Sequence, residues 1–147
     1  MKTILSILSP SEEYTLQLAC DFGKQLPSNS VVCFYGDLGA GKTTFIKGLA
    51  NGAADYSPLE ISSPTFVFLN IYEGNRIIYH FDLYRLEKAE EFLSMGFDEM
   101  FESGGICCVE WAERIHSIIP PAAYHISIQH SAVNGRQITI TQQGAEG

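Results

Sequence analysis

The sequence predicts a three-layer α/β domain on a mixed sheet, parallel at its centre and extended by antiparallel hairpins. Three observations predict it. The apolar run Val31 to Tyr35 passes through a glycine-rich turn into the helix-like run Thr44 to Ala50, which makes a strand–turn–helix unit. Ile106 to Glu110 is wholly apolar until its final carboxylate, the pattern of a central strand covered on both faces. Two pairs of β-rich runs are joined by turn residues and read as hairpins: Thr65 to Tyr72 with Arg76 to Asp82, and Tyr124 to His130 with Arg136 to Gln142.

Taken in order, Lys2 to Leu8 reads as the first strand. Ser9-Pro10-Ser11-Glu12 then supplies an N-cap serine, a proline at the first helical position and a glutamate three residues on. A helix is expected from there to about Leu26, broken by Pro27-Ser28-Asn29. The helix after Lys42 is expected to end near Asn51-Gly52, and Ala53 to Pro64 reads as a mobile loop. Glu73-Gly74-Asn75 turns the first hairpin. Lys88 to Glu102 reads as helical with a break at Ser94-Met95-Gly96, and Asn134-Gly135 turns the second hairpin.

With 147 residues and 46% hydrophobic content, one globular domain spanning residues 1–147 is expected, with one real core. No apolar stretch approaches the roughly 20 residues of a membrane span, and the N-terminus lacks the succession of a signal peptide. A cytoplasmic protein without membrane contact is the expectation. Cys107 and Cys108 are neighbours on a strand and point to opposite faces, while Cys20 and Cys33 fall in core-like segments. All four read as small apolar residues rather than a disulfide or zinc set. The formal charge of −8 disfavours a nucleic-acid surface, because such binding draws on Lys and Arg neutralising phosphates. Any RNA would be held by a partner.

Gly36-Asp37-Leu38-Gly39-Ala40-Gly41-Lys42-Thr43 fits G-x-x-x-x-G-K-[ST] between a strand and a helix, where a phosphate loop has to sit. Its glycines let the backbone turn tightly enough for several N–H groups to converge on phosphates, and the following helix aims its positive end at them. The expected nucleotide-binding set is Asp37, Leu38, Gly39, Ala40, Gly41, Lys42, Thr43 and Thr44. Lys42 supplies a charge to the β/γ oxygens of a nucleoside triphosphate, and Thr43 a hydroxyl for Mg²⁺. Such a loop needs an acidic residue at the end of a second strand, and two qualify: Asp82 and Glu110. Ser62-Ser63-Pro64-Thr65 is the natural place for a γ-phosphate-sensing hydroxyl, and reads equally as a turn into a strand. His80 shares a strand face with Asp82, although a histidine in an apolar strand is more often a hydrogen-bonded core residue. A small-molecule kinase is disfavoured because Arg76, Arg85, Arg114 and Arg136 are scattered, and a GTP switch because no N-K-x-D is present.

Taken with the phosphate loop, Ser63-Pro64-Thr65-Phe66, His80-Phe81-Asp82-Leu83-Tyr84-Arg85-Leu86 and Val109-Glu110-Trp111 resemble, in order and spacing, the motifs of the TsaE family. These are the bacterial tRNA threonylcarbamoyladenosine biosynthesis ATPases. The resemblance implies a P-loop ATPase that works with two partner proteins, TsaB and TsaD, in placing threonylcarbamoyl on adenosine 37 of tRNA. It further implies Lys42 as the phosphate lysine, Thr43 and Glu110 as Mg²⁺ ligands, Thr65 as the switch hydroxyl, and Asp82 as assisting the metal or the water. Arg136 would pack on the adenine side of the nucleotide, with Glu12 approaching it from the N-terminal segment.

Overall fold

The computed structural model describes residues 2–36, 41–62, 68–131 and 135–143. Its seven strands are β1 (Lys2–Ser9), β2 (Val31–Tyr35), β3 (Leu69–Glu73), β4 (Ile77–Asp82), β5 (Ile106–Glu110), β6 (Tyr124–His130) and β7 (Arg136–Gln142). They form one sheet in the order β1-β7-β6-β2-β5-β4-β3. β2 pairs in parallel with both β5 and β6, and β4 in parallel with β5. The antiparallel pairs β3–β4, β6–β7 and β1–β7 extend this centre on both sides. The mixed α/β architecture is therefore the expected one, including both hairpins.

Strand alternation divides the core into two apolar layers. Val32, Phe34, Ile78, Ile106 and Cys108 face one side, under α1 (Glu12–Lys24) and α2 (Lys42–Ala54). Val31, Cys33, Tyr79, Phe81, Cys107 and Val109 face the other. That side is covered by α3 (Ala89–Ser94) and by the short 3₁₀ turns Phe97–Glu102 and Ala112–Ile115. Burial pushes the Cys33 and Cys107 thiols up to about 12, as apolar packing residues should behave.

Three local expectations shift. The cap of α1 is Ser11, whose side chain accepts from the Tyr14 N–H. Ser9 stays in β1, paired with Arg136 and bonded to the Thr15 hydroxyl, so Pro10 precedes the helix instead of opening it. α2 does not stop at Asn51-Gly52 but runs to Ala54, with Asp55 as its left-handed cap. The glycine there serves packing: a Cβ on Gly52 would collide with the Cys20 carbonyl of α1, and one on Gly48 with the Leu16 carbonyl. Between Ala53 and Ser62, the segment read as a loop completes α2 and forms a 3₁₀ turn at Pro58–Glu60.

Candidate functional site

The parallel order of β2, β5 and β4 brings the ends of those strands to one margin of the sheet. Phe34 pairs with Glu110, and Glu110 with Asp82. Two residues beyond Phe34 the chain turns at Gly36, and α2 is preceded by its N-cap Gly41, whose φ of 111° suits a residue without a Cβ. The start of α2 has neither a capping side chain nor an acidic residue in its first turn, whereas α1 has Ser11, Glu12 and Glu13. Its first-turn amides and positive dipole end suit an anion.

Lys42, the first residue of α2, is buried and donates from Nζ to the Gly36 carbonyl at 2.8 Å. The same ammonium stands over the Trp111 ring, 5.3 Å from its centre. Trp111 follows Glu110 directly and takes a left-handed backbone at φ 60°. That conformation is uncommon for a bulky side chain and turns the ring back over the strand ends. Tyr84 packs against the ring at 5.0 Å, and the Arg114 guanidinium lies 5.4 Å from its centre while donating to the Tyr84 carbonyl.

Two carboxylates share this margin, on the α1/α2 face of the sheet. Burial pushes the Asp82 carboxyl above its ordinary value; the Tyr84 N–H bonded to Oδ1 opposes this, and the nearby Glu110 charge adds to it. Glu110 is 5% exposed, and its Oε2 lies 2.7 Å from His80 Nε2. His80 is fully buried and sits two residues before Asp82, so alternation places it on the same face. Its Nδ1 is 2.9 Å from the Tyr72 hydroxyl, which donates to the Ser62 carbonyl at 2.9 Å.

Beside the start of α2 lies a pocket of about 170 Å³ lined by Ser9, Pro10, Ser11, Glu12, Thr15, Gly41, Thr44, Gly135 and Arg136. The fold thus brings Glu12 and Arg136, 124 positions apart in the sequence, into the lining of one cavity at the exit of the glycine-rich loop. A Cβ on Gly41 would lie 4.0 Å from the Arg136 side chain.

Of the residues singled out from the sequence, Glu12, Gly41, Lys42, Thr43, Thr44, Asp82, Glu110 and Arg136 gather at this margin or its pocket. Asp37, Leu38, Gly39, Ala40 and Thr65 lie outside the described residues. Sequence reasoning did not pick out Tyr72, nor the Gly36 carbonyl and the Trp111 face as the seat of Lys42. Alternation alone pointed to His80. Among the described residues no three His, Cys, Asp or Glu side chains form a metal cage. What the margin offers a metal is hard oxygen: the Thr43 hydroxyl and the carboxylates of Glu110 and Asp82. That set suits Mg²⁺, which binds through one or two carboxylates and completes its shell with phosphate oxygens and water.

The family model described as threonylcarbamoyl adenosine biosynthesis protein TsaE matches residues 9–138. The chain is 40% identical over 133 residues to the tRNA threonylcarbamoyladenosine biosynthesis protein TsaE of Treponema pallidum, covering 90% of this chain and 97% of that one. It is 41% identical over 115 residues to the protein of the same name from Bacillus subtilis, covering 78% and 70%. With that of Nostoc sp. PCC 7120 it shares 39% over 141 residues, covering 92% and 84%. The crystal structure of Bacillus subtilis YdiB superimposes with a TM-score of 0.79 at 32% identity, over 99% of this chain and 90% of that one. The family model and the relatives each cover most of the chain, which belongs to the TsaE family.

Proposed function

We propose that this chain is a Mg²⁺-dependent ATPase of one domain. It acts in the cytoplasm with TsaB and TsaD in the threonylcarbamoylation of adenosine 37 of tRNA. The observation that carries the reading is the placement of Lys42 at the uncapped start of α2, with Asp82 and Glu110 at the adjoining strand ends. The pocket of Glu12 and Arg136 beside it is the place for the adenosine half of the nucleotide.

In this reading the first-turn amides of α2 and the Lys42 ammonium hold the phosphates and balance charge that moves onto the leaving oxygen during in-line attack by water. Thr43 and Glu110 would hold Mg²⁺, with Asp82 beside them. When bound, the metal would supply charge neutralisation to the phosphates. Asp82 and Glu110 orient the attacking water, and Thr65 is the hydroxyl that senses the γ-phosphate. Trp111 screens Lys42 from bulk water, which strengthens its pull on an anion. A net charge of −8 leaves the tRNA to the partners.

The test is ATP turnover by the purified chain alone, then with TsaB, TsaD and tRNA. Slow turnover that rises in the complex, is lost with Glu110→Gln and is not supported by GTP is the expected result. Turnover by Glu110→Gln at the wild-type rate, or steeply salt-sensitive tRNA binding by the chain alone, would refute the assignment.

A further inference from the structure

We propose that His80 is a positioning residue for this site: it fixes the Glu110 carboxylate from behind and, through Tyr72, anchors it to the backbone at Ser62. The inference rests on the reading of Glu110 as the metal-side carboxylate. It adds a control that the phosphate-loop motif does not contain.

A carboxylate 5% exposed needs a partner, since desolvating it without one costs several kcal/mol. His80 is that partner. The 2.7 Å separation between Nε2 and Oε2 is at the short end of charge-assisted hydrogen bonds. The ring cannot swing away to release it. Its other nitrogen is held 2.9 Å from the Tyr72 hydroxyl, and the Tyr72 ring packs beside it at 5.9 Å. Tyr72 is itself fixed by donating to the Ser62 carbonyl and by its contact with Tyr56 at 5.1 Å. The backbone beneath is equally confined, because β4 is paired on one side with β5 and on the other with β3. His80 is directly opposite Cys108 and Asn70 in those ladders.

Three side chains from three strands therefore pass one constraint from Ser62 to Glu110. Metal ligands are ordinarily oriented by a second layer of hydrogen bonds, and removing such a layer typically costs 10- to 100-fold in metal affinity or activity. Here the usual roles are exchanged: the histidine stands behind and the carboxylate in front.

The test uses His80→Leu, His80→Gln and Tyr72→Phe in the intact chain, with TsaB, TsaD and tRNA present. ATP turnover is read across a Mg²⁺ titration, and thermal unfolding confirms the fold. His80→Leu should raise the Mg²⁺ concentration for half-maximal turnover about tenfold or more. His80→Gln, whose amide N–H can stand where Nε2 stood, should recover most of that loss. Tyr72→Phe should fall between Leu and wild type. Leu and Gln variants reduced alike with an unchanged Mg²⁺ requirement would overturn the proposal, because a packing role makes that pattern. If His80→Leu does not fold, Tyr72→Phe decides: a raised Mg²⁺ requirement supports the proposal, a wild-type one overturns it. Wild type without Mg²⁺-dependent turnover in the full complex would instead overturn the reading of Glu110, and this proposal with it.

Discussion

The Lys42 ammonium sits 5.3 Å from the centre of the Trp111 ring while donating to the Gly36 carbonyl at 2.8 Å. A phosphate lysine on an open loop would be replaceable without cost to the fold. This one is 7% exposed and has a seat of its own. Lys42→Ala should therefore lower stability without ligand by about 2 kcal/mol, the worth of a cation–π contact at a desolvated site. It should also abolish the gain of about 2.7 kcal/mol that ATP at 100 times Kd confers on wild type. Thermal unfolding with and without ATP measures both, and equal ATP shifts in the two proteins would count against the lysine's role.

Arg136 and Glu12 line one pocket at the start of α2. Arg136→Ala should weaken ATP about tenfold, equivalent to about 1.4 kcal/mol, while leaving inorganic triphosphate binding unchanged. Calorimetric titration of both ligands separates the base side from the phosphate side. Equal losses for the two would move Arg136 to the phosphates.

Burial holds the Asp82 carboxyl above its ordinary 3.8, and the Glu110 charge reinforces it against the Tyr84 N–H. A carboxyl raised on folding binds more protons in the folded state than in the unfolded one. It subtracts stability as pH climbs through that interval, fully above the folded value and not at all below 3.8. Asp82→Asn keeps an oxygen for the Tyr84 N–H and removes the charge. The variant should melt higher than wild type near neutral pH, the difference shrinking as pH falls toward 3.8, while ATP turnover slows. A lower melting temperature at neutral pH would contradict this.

Gly52 of α2 faces the Cys20 carbonyl of α1 with no room for a methyl group. At an open helical position Gly→Ala stabilises by about 0.8–1.0 kcal/mol. Here the sign should reverse, with Gly52→Ala destabilising by about 1–3 kcal/mol as the helices are forced apart. Denaturant unfolding gives the sign directly.

Legibility tracked sequence distance. The strand–turn–helix unit at Val31 to Ala50, the central strand ending in Glu110 and both hairpins were readable because each is a local pattern. The cap of α1 was displaced because Ser9 and Ser11 are equally good caps in isolation, and only the pairing of Ser9 with Arg136 claims it for β1. Asn51-Gly52 has the composition of a helix end, yet the glycine answers to α1, about thirty residues earlier in the chain. At the site, the acids were visible as strand ends, whereas the His80–Glu110 bond joins residues 30 apart and has no local signature.

The close seam between α1 and α2 also has a mechanical meaning. α2 begins at Lys42, and α1 begins at Ser11 and Glu12 on the wall of the neighbouring pocket. With Gly48 and Gly52 letting the backbones touch, the two helices can neither slide nor tilt without collision. The start of α2 therefore keeps a fixed place against the pocket wall that Ser11 and Glu12 form.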